Sequence, residues 1–349
     1  MPRTRFESIG RYTPETVLST EELFSRLKVE GLPRLREFSG VERRRVYDAH
    51  PDRYESSFEL ASRATADCLT KSDYAADELD VVISASISRS VGPGIHYLAP
   101  SLALRLGTAI GATRARCFDV ANACAGMMTG ILLLDRMIKA GVVRNGLVVS
   151  GEQITPVAET AVREIRSMSS NQFASLSIGD AGAAVVVDGR GDDGDEIHYV
   201  ELMTLAEGAE HCLGMPSDRT GEAALYTDSQ AMQDPAVLFQ ALHRFGTFLE
   251  ETGRDFAAEE FDYVIYHQAS DKVIEYGQQM VEQYFGAQAP PSLDVLREFG
   301  NTASTSHFVA LSEHLVQRNI PRGSKILLIP QASGRVTGYL SATVSRLAA

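Results

Sequence analysis

Apolar and polar residues alternate along the chain with two different periods. Residues 57–69 place apolar side chains three and four positions apart, which predicts an amphipathic helix. Residues 80–86 form a short segment built around Val81, Val82 and Ile83, which predicts a buried strand. Alternation of such segments is typical of an α/β protein. The same two patterns predict further helices at residues 99–106 and 126–140 and further strands at residues 116–120, 147–150 and 183–188.

A polar, acidic and glycine-rich segment at residues 190–196 interrupts this succession. The alternation resumes after it, with predicted strands at residues 199–204, 262–266, 325–329 and 339–344 and predicted helices at residues 234–253 and 271–284. We therefore predict two similarly built α/β halves, residues 1–190 and residues 191–349.

Composition narrows the classes of protein to consider. The 349 residues are 44% hydrophobic and 23% charged, which is typical of a globular protein. The formal net charge of −13 argues against unspecific binding to nucleic acid or to an anionic membrane. No stretch approaches the ~20 apolar residues of a membrane helix, and the N-terminal residues lack the apolar core of a signal peptide. We expect a cytoplasmic protein that binds neither nucleic acid nor membrane.

The four cysteines carry the first candidate chemistry. No pair has the C-x-x-C spacing of a zinc ribbon or a thioredoxin motif, so we expect free thiols and no metal site. Cys124 follows a predicted strand and precedes a predicted helix, whose N-terminus favours the nucleophilic thiolate. The alternative for Cys124 is a buried packing cysteine, which is a frequent fate of a free thiol.

Two later segments offer partners for a cysteine nucleophile. His267 follows a predicted buried strand, and Asn301 lies in a turn of glycine and small residues before another helix. Polar side chains at such places project beyond the sheet edge, where α/β proteins build their sites. Each also has a structural interpretation, His267 as a core histidine and Asn301 as a turn or cap residue. His307 and His314 lie seven apart on one predicted helix and are interpreted as surface or core residues.

Several segments form a recognisable set when they are taken in order. Asn-Ala-Cys-Ala-Gly surrounds Cys124, His-Gln-Ala begins at His267, and Gly-Asn-Thr-Ala-Ser surrounds Asn301. The set is completed by an opening strand and turn at residues 8–17, by Ser-Gly-Val-Glu-Arg-Arg-Arg at residues 39–45 and by Ser-Ile-Gly-Asp-Ala-Gly-Ala-Ala-Val at residues 177–185. Over nearly the whole chain these segments resemble the β-ketoacyl-acyl-carrier-protein synthase III group of the thiolase superfamily.

The resemblance implies the thiolase fold, in which two similar α/β halves, each with a central five-stranded mixed sheet, stack as a five-layer α-β-α-β-α sandwich. It implies a catalytic triad of Cys124, His267 and Asn301. It also implies an oxyanion hole made by the backbone N–H groups of Cys124 and of the turn near Gly334. A homodimer follows from it, as does a CoA or phosphopantetheine thioester as substrate, with no metal or redox cofactor. Glu152 is expected to be structural, near the dimer interface.

Some positions depart from the family pattern. The chain has no tryptophan, and its late turn reads Ala-Ser-Gly-Arg-Val-Thr-Gly at residues 332–338 where the family has G-G-G-F-T-W-G. Arg34, Arg36 and Lys272 are candidate contacts for a CoA phosphate or an acidic carrier protein, and the alternative is a scattered set of solvated charges. Ala99 is small where the family often has a bulky residue, which indicates a different, larger acyl pocket.

The resemblance implies a ping-pong condensation as the leading hypothesis. An acyl group would move from a CoA or carrier-protein thioester to Cys124, and a malonyl or β-ketoacyl thioester would then condense with it in a decarboxylative Claisen reaction. The departures favour a role in polyketide or other secondary metabolism over fatty acid biosynthesis. The alternative is an acyltransferase of the same fold, in which His267 acts as general base for a hydroxyl or amine acceptor. A third hypothesis is a non-catalytic partner subunit, but such members usually lack the nucleophile that this chain retains.

Overall fold

The structure, a computed structural model, describes residues 2–29, 39–167 and 169–347. Its strands are β1 (Arg5–Tyr12), β2 (Val17–Ser19), β3 (Arg43–Arg45), β4 (Val81–Ser84), β5 (Ser90–Gly92), β6 (Ile95–His96), β7 (Arg116–Asp119), β8 (Asn145–Glu152), β9 (Ala181–Asp188), β10 (Glu196–Thr204), β11 (Cys212–Pro216), β12 (Ala223–Thr227), β13 (Tyr263–Tyr266), β14 (Ser324–Ile329), β15 (Gln331–Ala332) and β16 (Val336–Val344). Its α-helices are α1 (Thr20–Ser25), α2 (Ser57–Thr70), α3 (Leu102–Ile110), α4 (Gly126–Lys139), α5 (Thr155–Glu164), α6 (Ser229–Met232), α7 (Pro235–Glu251), α8 (Asp271–Phe285), α9 (Leu296–Phe299) and α10 (Ser306–Val316).

Two mixed sheets repeat one topology. The first has the order β1-β9-β8-β4-β7, in which β9 runs antiparallel to both neighbours and β8, β4 and β7 are parallel. The second has the order β10-β16-β14-β13 with the same directions. The fifth position, expected to be a strand in each half, holds only an isolated parallel bridge between Val264 and Ser292 in the second sheet. Pro290 and Pro291 precede Ser292, and prolines cannot donate the ladder hydrogen bonds that a longer strand needs.

Helices form three layers around the two sheets. Helices α2 and α3 cover the outer face of the first sheet, and α7 and α8 cover the outer face of the second. Helices α4 and α10 lie between the sheets, and their apolar side chains join the largest buried cluster of the described residues. The order of layers is therefore α-β-α-β-α, which confirms the predicted fold class. None of the helices in the described part of the chain has the length and the apolar character needed to cross a bilayer.

The two central helices begin in the same way. A short 3-10 turn at Ala123–Ala125 leads into α4, and another at Ala303–Thr305 leads into α10. The first residue of each turn is an alanine in the left-handed region, with φ of 44° at Ala123 and 51° at Ala303. Cys124 and Ser304 therefore occupy equivalent positions of the two halves. The two strand sets lie at residues 5–188 and 196–344. The division at residue 190 remains a prediction.

Candidate active site

Cys124 lies in the 3-10 turn between β7 and α4. The Asn122 side chain donates to Thr129 Oγ1 at 2.8 Å, which fixes the turn to the first turns of α4. Helix α4 begins with a glycine, Gly126, because a Cβ at this position would lie only 2.8 Å from the carbonyl oxygen of Ala85. The sequence therefore brings the start of α4 against the end of β4, with the sulfur of Cys124 directly before the helix.

The charge state of Cys124 depends on opposing effects. Burial raises the pKa of the thiol, and the nearby Cys212 and Glu152 act in the same direction. The backbone N–H of Cys124 lowers it. The N-terminus of α4, which the sequence predicted to favour a thiolate, is therefore opposed by the desolvation of the partly buried Cys124. The thiol is the resting form, and the proton must leave as the sulfur attacks a carbonyl.

His267 is held at the end of β13 with its ring almost completely buried. Its backbone N–H donates to the carbonyl of Ile329 at 3.1 Å. The side chain of the next residue, Gln268, donates to the Tyr266 carbonyl at 2.8 Å and accepts from the Val295 N–H at 2.9 Å. These two bonds fix the backbone on both sides of His267. Burial, with a smaller contribution from a neighbouring histidine, lowers the pKa of His267 to about 3. The imidazole is therefore neutral at physiological pH.

Asn301 is oriented by its own turn. Its Oδ1 accepts from the Ala303 N–H at 2.9 Å and from the Ser306 hydroxyl at 3.5 Å. The Asn301 N–H donates to the Ser177 carbonyl at 2.9 Å, and the Gly179 N–H donates to the Asn301 carbonyl at 3.0 Å. With its oxygen occupied in this way, the amide presents its NH₂ group as a donor.

Packing brings these three segments together. The turn that holds Cys124 packs on the turn at Ala303–Thr305, which follows Asn301, and on β15. Ala332 and Val336 form a small apolar cluster with the Cys124 turn. The ring of His267 lies against that of His307, which follows the Asn301 turn at the start of α10, with ring centroids 5.9 Å apart. The fold thus gathers the predicted nucleophile and its two predicted partners at one end of the central layer.

The late turn between β15 and β16 lies beside the same site. Gly334 has φ of 74° and Arg335 has φ of 48°. The Arg335 side chain covers Gly208, where no Cβ would fit, and donates to the carbonyl of Ala231. Arg335 thus ties the turn to the segment before α7. The role of Gly334 in an oxyanion hole remains a prediction.

The other predicted site residues have different positions. Lys272 is exposed at the start of α8, five residues after His267. Ala99 is exposed in the segment between β6 and α3. Arg34 and Arg36 lie outside the described residues. Within the described ranges, no group of three or more His, Cys, Asp or Glu side chains could hold a metal ion.

Two further residues border the site that sequence reasoning did not place there. Glu152, at the end of β8, receives a short hydrogen bond from the hydroxyl of Ser304, three residues after Asn301. His307 is fully buried, which agrees with its core interpretation, and it packs against His267, which that interpretation did not include. The one indication in the sequence was that His307 lies six residues after Asn301, a predicted site residue. This spacing indicates a contact with His267 only once the structure shows that α10 begins beside the end of β13.

Comparison with known proteins gives one family throughout. Residues 118–206 match the family model of 3-oxoacyl-[acyl-carrier-protein] synthase III, and residues 252–342 match the model of its C-terminal part. The beta-ketoacyl-[acyl-carrier-protein] synthase III of Clostridium novyi (strain NT) is 27% identical over 97% of this chain and 98% of its own. The enzyme of the same name from Deinococcus deserti is 26% identical over 94% and 87%.

Solved structures agree in fold. Xanthomonas campestris OleA with bound cerulenin superposes with a TM-score of 0.83 at 22% identity, over 98% of this chain and 97% of that one. The 3-oxoacyl-[acyl-carrier-protein] synthase III of Aquifex aeolicus superposes with a TM-score of 0.78 at 21% identity, over 97% and 99%. The two family models together match a little over half of the residues. The chain belongs to the β-ketoacyl-acyl-carrier-protein synthase III family of the thiolase superfamily.

Proposed function

We propose that this protein is a condensing enzyme of the synthase III type. The Cys124 sulfur attacks an acyl thioester, the CoA or carrier thiol leaves, and the acyl group stays on Cys124. A malonyl thioester then binds and loses carbon dioxide, and the carbanion that remains attacks the acyl carbonyl. A carbon–carbon bond forms, the Cys124–acyl bond breaks, and a β-ketoacyl thioester is released.

The observation that carries this proposal is the packing of the Cys124 turn on the turn that follows Asn301, together with the stacking of His267 on His307, which lies at the start of the next helix. Decarboxylation places negative charge on the oxygen of the malonyl thioester, and fixed donors in a dry site stabilise such charge. Asn301 presents its NH₂ group because its oxygen is already bonded within the turn. His267 is neutral and has one ring N–H to offer. For the acyl half of the reaction, we assign the oxyanion to the N–H groups of Cys124 and of the turn at Gly334.

The state of His267 favours condensation over acyl transfer to a hydroxyl or amine. An acyltransferase would use His267 as general base, and an effective base has a pKa near the working pH. Burial lowers the pKa of His267 to about 3, which makes the ring a weak base and leaves it suited to donating a hydrogen bond. In condensation, His267 has only to donate a hydrogen bond to the malonyl thioester oxygen. The proposed reaction uses no metal or redox cofactor.

Substrate delivery is the finer part of the proposal. We assign Lys272, with Arg34 and Arg36, to the phosphates of CoA or to an acidic carrier protein, since a cationic group suits either partner on a chain of net charge −13. The absence of tryptophan and the Arg335-bearing late turn support a role in secondary metabolism rather than in primary fatty acid synthesis.

A homodimer completes the proposal. The edge strand β7 ends the first sheet, and its outer side has no strand partner among the described residues. Leu98, Ile95 and Ile87 are 93%, 58% and 47% exposed, and these large apolar side chains lie in the segment that follows β4. Ala99 belongs to the same segment. We place a second copy of the chain on this face, which would cover the apolar side chains.

The test follows the acyl group on the protein. Intact mass is measured after exposure to a panel of acyl-CoA thioesters and again after addition of malonyl-CoA or malonyl-carrier protein, with Cys124→Ala and Cys212→Ala as paired variants. We expect an acyl adduct on the wild type and on Cys212→Ala, and none on Cys124→Ala. After addition of the malonyl thioester, the adduct should disappear, carbon dioxide should be released, and a product two carbons longer should form. An adduct that persists with the malonyl thioester but is discharged by alcohols or amines would contradict condensation and establish an acyltransferase.

A further inference from the structure

His307 has no role in the reaction described above, yet its ring is the nearest aromatic neighbour of His267. It is the second residue of α10 and is fully buried. The two imidazole rings are stacked, with centroids 5.9 Å apart and an angle of 25° between their planes. Burial lowers the pKa of His307 to about 4, so both rings are neutral at physiological pH.

One carbonyl group fixes both histidines. The oxygen of Ile329 accepts the backbone N–H of His267 at 3.1 Å and the Nε2 of His307 at 3.0 Å. Ile329 ends β14, and the chain continues from it to Ala332, which packs beside Cys124. This oxygen therefore joins the strand end that carries His267, the helix that follows Asn301, and the late turn.

The hydrogen bond to Ile329 determines the tautomer of His307. A carbonyl oxygen only accepts, so Nε2 of His307 carries the hydrogen and its Nδ1 is a bare nitrogen. Nδ1 of His267 is likewise buried and has no hydrogen-bond partner among the described residues. A hydrogen on that atom would be a buried donor without an acceptor, which is unfavourable. The single hydrogen of neutral His267 is therefore best placed on Nε2.

We propose that His307 is a positioning residue for His267. Its stacked ring and its bond to the Ile329 carbonyl hold the His267 ring in one orientation, with Nδ1 in the dry interior and the Nε2 hydrogen toward the substrate. The proposal rests on the condensation described above, because a donor at Nε2 is what the malonyl thioester oxygen requires. His307 itself does not touch the reacting atoms.

The consequence is specific to one half of the reaction. Acylation of Cys124 needs the sulfur and the backbone donors, whereas decarboxylation needs the correctly oriented donor of His267. His307→Leu removes both the ring and the N–H. We expect it to slow decarboxylation on the order of tenfold to a hundredfold, through kcat rather than KM, and to leave the rate of Cys124 acylation close to that of the wild type.

Two variants make the test selective. His307→Gln retains an N–H that can reach the Ile329 carbonyl, and we expect it to recover most of the lost decarboxylation. His314→Leu is the matched control, because His314 lies on the same helix and also donates from Nε2 to a backbone carbonyl, that of Asp294, at 3.0 Å. It should condense like the wild type. Equal loss in both half-reactions for His307→Leu, or no loss at all, would overturn the proposal.

A spectroscopic measurement separates this inference from the proposed function. ¹⁵N-histidine ring spectra report which nitrogen of His267 carries the hydrogen, whether or not the protein turns over, and His267→Gln assigns the signal. We expect the Nε2–H form in the wild type and in His307→Gln, and a mixture of tautomers in His307→Leu. If the wild type does not decarboxylate malonyl thioesters, the proposed function fails while this measurement still decides on His307. An unchanged His267 signal in His307→Leu would refute the positioning role.

Discussion

Glu152 is a completely buried carboxylate whose bonds connect the two halves of the molecule. Its oxygens accept from the backbone N–H groups of Ile87 at 3.0 Å and Ser88 at 3.2 Å. The hydroxyl of Ser150 donates at 2.9 Å, and that of Ser304 donates from the second half. Burial raises the pKa of Glu152, and these donors lower it. The carboxylate thus holds the Asn301 turn against the first half, and it also raises the pKa of Cys124.

Glu152→Gln is expected to change the titration of Cys124. The amide has nearly the same shape but no charge, so the pKa of the Cys124 thiol should fall. The rate of alkylation of Cys124 by iodoacetamide, measured from pH 6 to 10 by peptide mass, should therefore rise at lower pH than in the wild type. One amide NH₂ also replaces an oxygen that accepts hydrogen bonds, and we expect a loss of about 1–3 kcal/mol in the free energy of unfolding.

Glu164→Gln provides the matched control for this change. Glu164 is another buried glutamate, at the end of α5, and it accepts hydrogen bonds from Gln172 and from Ser217. The same substitution there should reduce stability without moving the Cys124 profile. A Glu152→Gln profile that coincides with that of Glu164→Gln would show that the charge of Glu152 does not reach the nucleophile.

Among the elements, α2 shows how closely a helix approaches the first sheet. Glycines stand under it on neighbouring strands, where a Cβ on Gly182 of β9 would lie 2.2 Å from the Leu60 carbonyl and one on Gly151 of β8 would lie 2.1 Å from that of Ser57. Neither contact can be relieved by turning a side chain, because the atoms that meet belong to the helix backbone. The small residues therefore set the spacing between the outer helix layer and the sheet that ends at the site.

Gly182→Ala should separate α2 from the sheet. The added methyl group has no space, and overpacking of this kind costs about 1–3 kcal/mol of stability. Gly214→Ala on the β11–β12 hairpin adds the same group where no atom lies within 4 Å, and it should change stability by less than about 0.5 kcal/mol. Urea denaturation of the two variants beside the wild type measures both values. Equal midpoints for the two variants would contradict the close approach.

The strands of the two central sheets were predictable from the sequence even where they have only four residues, as in β4, β7 and β13, whereas an exposed hairpin was not. The helix predicted at 126–140 is Gly126–Lys139, because its apolar positions repeat over several turns. The helix predicted at 99–106 begins only at Leu102, because Ser101 caps it and the Asp119 carboxylate accepts the Leu102 N–H at 2.9 Å. The β11–β12 hairpin was not predicted, since its strands pair only with each other and half of their residues are exposed.

At the scale of the whole molecule, some residues of the site were predictable from the sequence and others were not. Three sequence motifs indicated Cys124, His267 and Asn301 although they are far apart along the chain, because each motif is local. Glu152 and His307 could not be assigned from the sequence, because their importance arises from tertiary contacts. Glu152 meets Ser304 across the two halves, and His307 meets His267 within the second half. Duplication of the fold creates the contact of Glu152 with Ser304, because the 3-10 turn before α10 packs on β8 and on the 3-10 turn before α4.

The proposed dimer gives the prediction that concerns the whole molecule. Leu98 is 93% exposed in the single chain, and burying such a side chain against a second copy would contribute about 1.5–3 kcal/mol per copy. Multi-angle light scattering should therefore give the wild type a mass of twice 38.0 kDa. Leu98→Asp places a charge at the proposed interface and should shift the equilibrium to the single chain at micromolar concentration.

Val316→Asp is the control for that experiment, because Val316 is an apolar residue with 52% exposure at the end of α10. It changes the surface charge in the same way but lies on a different element, so the dimer should persist. A monomeric wild type would refute the dimer, and dissociation by both variants alike would place the interface elsewhere. If Leu98→Asp is monomeric and also loses acylation of Cys124, the segment that carries Ala99 contributes to the site of the second copy.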